Sequence, residues 1–491
     1  MAVLKEHAVA IAGGGPAGLM LAGELALAGV DVAVFERRAT RDREGLRAGG
    51  LHARTIEVLD QRGIADRFLS QGQTTQKGPF AGSILDISDL PTRHNYFLAL
   101  CQTRIEHTLA DWVLEMAVPI YYGTEVGGFA QDETGVDIEI SDGRATRTQY
   151  LVGCDGGRSA IRKNAGIKFP GWDPSVSYVI AEIETAQEPA WGFRRNSRGI
   201  SAIAKLEGER KARVVLSERD IGNGNAPNLS DIRNALIASY ETDFGLTSAS
   251  YISRFTDMTR QAESYRKGRV FLAGDAAHVH SPVGGQGLNL GVQDAVNLGW
   301  KLGQVIHGKS PESLLETYHS ERHPVAARVL RNTMALTAIE RSDERSEALR
   351  GMLHEILQSD ATRKQYFAMM SGLDIRYDLG TGHPLLGRRI PDLDLETDRG
   401  PRRVFSFLNR ARPVLLNLSE VYDCDISPWV DRVEIVNARY AGTLELPSLG
   451  MIRCPSALLV RPDGYVAWIG DRSQDGLVDA LTMWCGPVAR T

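Results

Sequence analysis

The sequence predicts an α/β protein, and three features carry that prediction. A short apolar strand, a glycine-rich turn, a helix and a second strand follow one another within residues 7–36. Two later apolar runs end in the pairs Asp155-Gly156 and Gly274-Asp275. Strands that alternate with helices in this way are typical of a parallel sheet covered by helices. We therefore expect a Rossmann-like domain at the N-terminus.

Length and composition exclude several classes of protein. The chain has 491 residues, 43% of them hydrophobic, and a formal net charge of −5, so it is globular and has no basic field for nucleic acid. Its five cysteines are scattered and form no Cys-x-x-Cys pair, which indicates reduced thiols and a cytoplasmic protein. No apolar run has the length of a membrane span. His278-Val279-His280 lacks a third ligand at a metal-binding spacing, so we expect neither a membrane nor a metal.

The first glycine cluster predicts a dinucleotide site. Gly13, Gly15 and Gly18 form G-x-G-x-x-G between the first strand and the first helix. In this motif the first glycine permits a tight turn, the second lets the backbone approach a pyrophosphate, and the third lets helix and strand pack closely. The pyrophosphate then meets free N–H groups at the positive end of the helix. Glu36 ends the second strand, where its carboxylate can bind both ribose hydroxyls. This segment alone does not distinguish NAD from FAD.

The later clusters favour a flavin. Asp275 stands at a strand end, where it can accept a hydrogen bond from a ribityl or ribose hydroxyl. The glycine-rich residues 284–287 let the backbone lie flat against a ring. A helix that begins near Leu288 and Asn289 directs about half a positive charge at the same place. Because a reduced flavin carries negative charge at its N1–C2=O side, this helix end would favour reduction.

Together the three motifs resemble the FAD-dependent aromatic hydroxylases, the single-component class A flavoprotein monooxygenases. The match lies in their order and spacing, including an Asp155-Gly156 motif that ends in Arg162. The resemblance implies that Arg47 lies near the FAD pyrophosphate and Gln102 near the ribityl chain. It also ties Asp155 to both FAD and the nicotinamide cofactor, and places Pro282 beside the flavin ring. The predicted cofactor-binding residues are Gly13, Gly15, Pro16, Ala17, Gly18, Glu36, Arg37, Arg47, Gln102, Asp155, Gly156, Gly274, Asp275, Pro282, Gly285, Gly287, Leu288 and Asn289.

The C-terminal region narrows the resemblance to polyketide-modifying hydroxylases. Residues 383–393 resemble the entry to the extra, thioredoxin-like domain of those enzymes. Residues 414–418 form a predicted strand, and residues 456–468 a hairpin with Pro-Asp-Gly as its turn. Because Cys-x-x-Cys is absent, we expect a structural or interfacial role for this domain rather than a redox role.

The resemblance implies a p-hydroxybenzoate hydroxylase-like fold in which a β-sheet domain covers the flavin. Tyr178, Trp191, Phe193 and Tyr240 are candidate lining residues, and the sequence supports no catalytic assignment. We expect solvated helices in the charged segment 321–371. The predicted divisions are 1–172 (FAD-binding domain, with 73–97 open to assignment to the substrate domain), 173–268 (substrate-binding sheet), 269–325 (second part of the FAD-binding domain), 326–384 (helical linker) and 385–491 (thioredoxin-like domain).

The resemblance implies a monooxygenase that consumes NAD(P)H and O2. A flavin C4a-hydroperoxide would hydroxylate a phenolic or polycyclic aromatic substrate. Only one G-x-G-x-x-G motif occurs, so no second Rossmann domain is expected for the nicotinamide, and the resemblance implies that NAD(P)H binds transiently. Three alternatives stay open: Baeyer–Villiger oxygen insertion, inactivation of an antibiotic, and a non-catalytic FAD-binding partner in a biosynthetic complex. The sequence leaves open the substrate, the choice between NADH and NADPH, and whether the chain forms a homodimer.

Overall fold

The structure is a computed structural model that describes residues 4–42, 49–80, 83–196, 199–206, 210–218, 221, 225–341, 343–419, 426–471 and 473–488. Its first domain is built on a sheet with a parallel core. The parallel strands, in spatial order, are Val270–Leu272, Ala145–Gly153, His7–Ala12, Val32–Glu36 and Ile120–Tyr122. Strands Arg266–Lys267, Val136–Ile140 and Val126–Gln131 extend this sheet in antiparallel pairing.

Helices cover this sheet so closely that its central strands are buried along their length. Val9 and Val34 have no exposed surface, as expected of parallel strands packed on both faces. The helices of this domain are Pro16–Leu27, Ala53–Gln61, Ala65–Leu69, Gln102–Glu115, Ala160–Asn164 and Gln286–Ile306. Gly299 lets the last of these approach the first, because a Cβ at Gly299 would lie 2.5 Å from the Cβ of Glu24.

The order of the strands places a crevice at the end of the first strand. His7–Ala12 pairs with Val32–Glu36 on one side and with Ala145–Gly153 on the other. Ligands of open α/β sheets bind at such a reversal, beyond the carboxyl ends of the strands. Because these strands are parallel, the loops that follow residues 12, 153 and 272 all open onto this crevice.

A second domain is an antiparallel sheet with one helix. Its strands, in spatial order, are Gly192–Asn196, Gly199–Lys205, Lys211–Ser217, Ser177–Thr185 and Leu246–Thr256. Helix Leu229–Tyr240 packs on one face, against residues that include Val179, Ala181 and Val214. Three short strands, Gly171–Trp172, Thr259–Gln261 and His278–Val279, join this domain to the loop after residue 272.

Three helices follow the elements that form the crevice. They are Glu316–Ile339, Glu344–Ile356 and Asp360–Ser371. The predicted boundary at 325/326 falls inside the first of them, because Val325 and Val329 continue its buried face. The expected solvated helix is found only in Glu344–Ile356, which has no buried residue. Strands Lys77–Phe80 and Ser83–Asp86 form a hairpin, and strands Gln73–Thr75 and Phe97–Ala99, which flank it in the sequence, pair with each other. These segments share an apolar cluster with the helices, and among the described residues neither pair joins the antiparallel sheet.

The C-terminal domain is α/β and thioredoxin-like. Its sheet contains, in spatial order, Gly400–Arg403, Asp394–Thr397, Glu434–Arg439, Val414–Asn417, Ala457–Val460 and Val466–Gly470. Helices Val404–Phe407 and Leu477–Cys485 and the short pair Leu444–Leu446 and Gly450–Ile452 complete it. The predicted hairpin is confirmed, but its turn is buried, because Arg461 and Asp463 are each 1% exposed. Among the described residues, no helix has the length and apolar character needed to cross a bilayer.

Candidate active site

The glycine-rich turn after the first strand is shaped by contacts that exclude side chains. Gly13 has a φ of +111°, and a Cβ there would lie 2.4 Å from the carbonyl oxygen of Cys154. A Cβ at Gly18 would lie 2.0 Å from the carbonyl oxygen of Gly13. Gly15 differs, because a Cβ there meets nothing within 4 Å. The turn is therefore packed behind Gly13 and Gly18 and open at Gly15, where helix Pro16–Leu27 presents its free N–H groups.

Glu36 lies beside this turn and is held by hydrogen bonds. The main-chain N–H of Gly14 donates to Glu36 Oε2 at 2.7 Å, and the main-chain N–H of Arg38 donates to Oε1 at 2.8 Å. Burial opposes the charge of Glu36, but the hydrogen bonds and charge of Arg38 hold the pKa of its carboxyl below the usual range. Arg38 Nη1 also donates to Glu106 at 2.8 Å, and Gln102 Nε2 to Glu106 at 2.7 Å. Gln102 is thereby connected, through Glu106, to Arg38 and Glu36.

Arg38 is a site residue that the sequence reasoning missed. The prediction named its neighbour Arg37, whose side chain is exposed. A strand places successive side chains on opposite sides, so the residue two positions beyond Glu36 shares its side of the chain. Counting this alternation past the strand end would have favoured Arg38. The role of Arg37 stays a prediction, and Arg47 lies outside the described residues.

The Asp155-Gly156 motif begins a helix and faces the first turn. Asp155 Oδ2 accepts hydrogen bonds from the N–H groups of Ala160 and Ile161, at 2.7 and 3.1 Å. Its other oxygen, Oδ1, is buried without a hydrogen-bond partner. Gly156 has a φ of +81°. Arg162 joins this motif to the next one by donating to the Ala276 carbonyl at 2.8 Å.

The Gly274 loop is fixed from beneath by buried charges. The Gly274 N–H donates to Asp294 Oδ2 at 3.2 Å, and His278 Nε2 donates to the same oxygen at 2.7 Å. Arg322 Nε donates to Asp294 Oδ1 at 2.7 Å. Burial would raise the pKa of Asp294, but Arg322 and His278 hold it below the usual range. Asp275 itself is exposed, so its carboxylate is available to a ligand.

Ala17 and Gly291 show why small residues surround this loop. A Cβ at Gly274 would lie 3.0 Å from the Cβ of Ala17. A Cβ at Gly291 would lie 3.1 Å from the Cα of Gly274 and 3.3 Å from the Cβ of Ala17. The dinucleotide turn, the Gly274 loop and helix Gln286–Ile306 therefore contact one another directly.

The turn between Pro282 and Asn289 presents bare backbone. Gly284 and Gly285 are exposed with φ values of +79° and +63°, and Gly285 precedes helix Gln286–Ile306. Asn289 holds the turn in place: its Nδ2 donates to the Gly285 carbonyl at 2.8 Å, and its Oδ1 accepts from the main-chain N–H of His52 at 2.9 Å. Gly287 and Leu288 lie in the first turn of the helix, where a Cβ at Gly287 would lie 3.6 Å from His280 Nε2 and 3.9 Å from Asp275 Oδ1.

His52 and Met370 were also missed by the sequence reasoning. His52 Nδ1 donates to the Met370 carbonyl at 3.1 Å, and a Cβ at Gly284 would lie 2.8 Å from Met370 Cε. Burial lowers the pKa of His52 to about 4, so this side chain is neutral at physiological pH. The contact joins positions 318 apart in the chain, and no local pattern in a single sequence reports such a pairing.

The predicted lining residues fall on different sides of the second domain. Phe193 lies on the sheet face opposite the helix, together with Ala202 and Ile180, because direct cross-strand partners share a face. Tyr178 is on that same face and stacks on Phe255 at 5.1 Å between ring centroids. Tyr240 belongs to helix Leu229–Tyr240 and packs on the other face. Trp191 donates to Glu188 and is half-exposed.

The residues of the crevice fit FAD. A Cβ at Gly15 would meet nothing within 4 Å, the Glu36 carboxylate stands beside the same turn, and the Asp275 carboxylate is exposed. The unpartnered Asp155 Oδ1 and the bare backbone at Gly284 and Gly285 leave polar groups for the ligand to satisfy. Within the described ranges, no three His, Cys, Asp or Glu side chains are grouped to bind a metal ion.

Comparisons with known proteins agree with this assignment. A family model for an FAD binding domain matches residues 6–333, and one for the C-terminal domain of aromatic-ring hydroxylases matches residues 383–488. The chain is 43% identical to a 12-dehydrotetracycline 5-monooxygenase/anhydrotetracycline 6-monooxygenase of Streptomyces rimosus, across 99% of this chain and 100% of the relative. It is 40% identical to a rifampicin monooxygenase of Streptomyces venezuelae, across 97% and 98%. It also superimposes on an aromatic hydroxylase from angucycline biosynthesis with a TM-score of 0.89 at 39% identity, covering 99% of this chain and 100% of that one.

The fold and the crevice thus define an FAD-dependent oxidoreductase with a p-hydroxybenzoate hydroxylase-like architecture. The chain belongs to the FAD-dependent aromatic-ring hydroxylases, the class A flavoprotein monooxygenases. It is a monooxygenase with FAD as its cofactor and NAD(P)H as its co-substrate.

Proposed function

We propose that this enzyme hydroxylates a polycyclic phenol of polyketide type. The observation that carries the proposal is the aromatic and apolar face of the second domain, which helix Leu229–Tyr240 leaves uncovered. Tyr178, Phe255, Ile180, Val215 and Phe193 occupy this face. Phe193 is 85% exposed and shares this face with other apolar side chains, and a contiguous apolar patch of this kind marks a binding surface better than a single exposed residue does. A flat aromatic ligand would cover it.

Helix Glu316–Ile339 connects the neighbourhood of this face with that of the turn at Gly284. Tyr178 lies close enough to Glu340 and Arg341 for their charges to act on its pKa, which burial raises to about 12. Those two residues directly follow the helix. Leu336, near the end of the same helix, lies near Gly284, where an added Cβ would be 3.8 Å from the Leu336 Cδ1. We infer that the aromatic face and the turn at Gly284 bound one site.

A second aromatic cluster packs beside His52 and helix Glu316–Ile339. Phe97 meets the ring of His52 edge-on at 5.2 Å and lies 6.2 Å from Phe367. Tyr366 lies next to Phe367 and contacts Phe80. Rings at these distances stabilise one another by about 0.5–1.5 kcal/mol per pair beyond area burial. We infer that this cluster forms another side of the substrate site, where it would suit a ring system and exclude water.

The protein binds and orients the cofactor and the substrate and excludes water from the site. When bound, FAD would carry two electrons from NAD(P)H to O2, so that one oxygen atom of O2 enters the substrate and the other leaves as water. Glu36, Asp275 and the turn at Gly284 would hold the bound FAD in place. Tyr178 is protonated at neutral pH, as a tyrosine ordinarily is, and burial raises its pKa further, to about 12, so it can donate a hydrogen bond to a phenol. The aromatic walls exclude water, which limits wasteful loss of activated oxygen.

Product analysis under ¹⁸O2 tests this proposal. The FAD-loaded enzyme is supplied with NADPH and a panel of anthracyclinone-like and angucyclinone-like phenols. The expected product has gained one ¹⁸O atom as a hydroxyl on an intact ring, shown by mass spectrometry and NMR. An ester or lactone product would instead show that the enzyme carries out Baeyer–Villiger insertion and not hydroxylation. NADPH oxidation that no aromatic compound stimulates would contradict the proposal.

A matched pair of variants locates the substrate. Phe193→Ala removes an exposed ring from the proposed substrate face, and we expect the KM for the aromatic substrate to rise about tenfold, from the loss of one stacked ring contact. Arg194→Ala changes the next residue, whose guanidinium lies over Tyr240 on the opposite face at 5.7 Å. KM should stay within twofold for this control. An equal change in KM for the two variants would contradict the assignment of the Phe193 face as the substrate-binding face.

The remaining partners follow from the same proposal. O2 and NAD(P)H are the co-substrates, and NAD(P)H binds transiently. A cytoplasmic location and a homodimer are further predictions, the latter checked by light scattering of the holoenzyme. The relative that acts on rifampicin favours inactivation of an antibiotic as the alternative purpose of the same hydroxylation chemistry.

A further inference from the structure

The turn between the last two strands of the C-terminal domain is inserted beneath the FAD-binding crevice. It consists of residues 461–464, which we call the buried turn. Arg461 and Asp463 are each 1% exposed. The Arg461 guanidinium lies among aromatic rings, 4.5 Å from the centroid of Trp484 and 5.2 Å from that of Trp300. An exposed hairpin would need none of these contacts.

The buried turn joins two helices of the first domain by ion pairs. Arg461 Nη1 and Nη2 donate to Glu321 Oε1 and Oε2 at 2.6 and 2.9 Å, and Nη2 donates to Asp463 at 2.5 Å. Glu321 belongs to helix Glu316–Ile339. It also accepts from Lys301 at 2.8 Å and from Asn297 at 2.6 Å, which both lie on helix Gln286–Ile306. Burial opposes the charge of Glu321, but Arg461 and Lys301 hold the pKa of its carboxyl at about 2.

The same two helices hold the Gly274 loop. Arg322, next to Glu321, donates to Asp294, and Asp294 lies one helical turn before Asn297. Asp294 in turn accepts from the Gly274 N–H and from His278. The relative position of the helices therefore sets where Asp275 stands and where Gly285 begins the helix that faces the flavin.

A second connection runs to the dinucleotide turn. The Pro462 carbonyl accepts from Arg62 Nη2 at 2.9 Å. Arg62 forms a two-point ion pair with Glu24, at 2.6 and 2.8 Å. Glu24 lies on helix Pro16–Leu27, whose first residues face the pyrophosphate. The dinucleotide turn, the Gly274 loop and the start of helix Gln286–Ile306 are thus supported by elements that the buried turn contacts.

We propose that the C-terminal domain is a positioning element of the FAD site, and that Arg461 is the positioning residue through which it acts. Arg461 touches neither FAD nor substrate. It fixes the helices Gln286–Ile306 and Glu316–Ile339 relative to each other, and they fix the Asp275 loop. This role requires no thiol chemistry in the C-terminal domain.

Release of FAD from the holoenzyme tests the proposal, with flavin fluorescence as the readout. Arg461→Gln removes the charge that organises Glu321. We expect FAD to dissociate about two- to thirtyfold faster, the range that coupling through a packed network gives. The flavin reduction potential should shift in the same variant, which loss of stability alone would not produce.

Arg403→Gln is the matched control. Arg403 also lies in the C-terminal domain and pairs with Asp60 of the first domain and with Asp392. It has no connection to Asp294 among the hydrogen bonds described above. This variant should lower thermal stability while FAD release stays within twofold of the original rate.

The outcomes separate the two explanations. Faster release in Arg461→Gln alone supports the positioning role. Unchanged release in Arg461→Gln, or equal acceleration in both variants, overturns it, because the interface would then serve only stability. If Arg461→Gln does not fold, Arg461→Lys keeps the charge but loses the two-point contact, and it should accelerate release by a smaller factor. Unchanged release in that variant would equally overturn the proposal.

Discussion

The substitution Gly18→Ala tests how tightly the dinucleotide turn is packed. The added methyl would lie 2.0 Å from the carbonyl oxygen of Gly13, about 1.4 Å closer than an ordinary contact of 3.4 Å. It would also lie 3.3 Å from the Cβ of Cys154. Gly13 is held in place by Cys154 behind it, so neither the carbonyl nor the helix can move without displacing the other.

Two opposing effects set the size of the change. Alanine is favoured over glycine within a helix by about 0.5–1 kcal/mol. Overpacking of a closely packed site costs about 1–3 kcal/mol. We expect a net decrease of about 1–2 kcal/mol in the free energy of unfolding. Because the Gly13 carbonyl must move by about an ångström, the Kd for FAD should rise at least tenfold.

Urea denaturation of the apoprotein and titration of it with FAD measure the two effects. Gly351→Ala is the control, because Gly351 lies inside helix Glu344–Ile356 and a Cβ there meets nothing within 4 Å. That variant should gain up to about 1 kcal/mol and bind FAD as before. A Gly18→Ala protein as stable as Gly351→Ala, with an unchanged Kd, would refute the reasoning.

Three further predictions concern single side chains of the site. Asp275→Ala should weaken FAD binding by roughly 1.5–3 kcal/mol, through loss of a hydrogen bond to a charged group, and titration of the apoprotein checks this; unchanged affinity would remove Asp275 from the site. Glu36→Gln should weaken the pairing of Arg38 and raise the Kd for FAD. The Kd for FMN, which lacks the adenosine, should stay the same; an equal rise in the Kd of FAD and of FMN would contradict the role of Glu36 at the adenosine ribose. The pKa of His52 is about 4 when folded and ordinarily 6.5, so the unfolded chain binds a proton that the folded chain does not. Stability should therefore fall by on the order of 3 kcal/mol between pH 6.5 and 4; denaturation at each pH should give a flatter profile for His52→Gln, and the same slope in both proteins would exclude His52 as the cause.

The sequence predicts best the parts of the site that are formed by residues adjacent in the chain. The turn at Gly13, Gly15 and Gly18 needs only a strand before it and a helix after it, and both are local patterns. The same holds for the Gly274-Asp275 pair and for the glycines at 284–285, whose positive φ values explain their identity. Parallel pairing then brings these loops together, because the strand ends share one edge of the sheet.

The parts that the sequence did not predict depend on what packs against a local element. Pro462-Asp463-Gly464 has the composition of an exposed turn, yet it is buried by helices that come from 140 and more positions earlier. Glu321 and Arg322 resemble a solvated charged segment, but each finds its partner on another element and is buried with it. Paired charges can be buried because the partner offsets much of the desolvation cost, and the partner is not visible in a single sequence.

Anaerobic reduction of the bound FAD by NADPH, followed by stopped-flow absorbance, tests the central claim most directly. The measurement is made with and without polycyclic phenols from the panel that the aromatic face suits. We predict that at least one compound accelerates bleaching of the flavin band by an order of magnitude or more, and that the same compound gains one oxygen atom when O2 is admitted. Bleaching that is equally fast with every compound and with none would contradict the account, because the aromatic face would then have no part in the reaction.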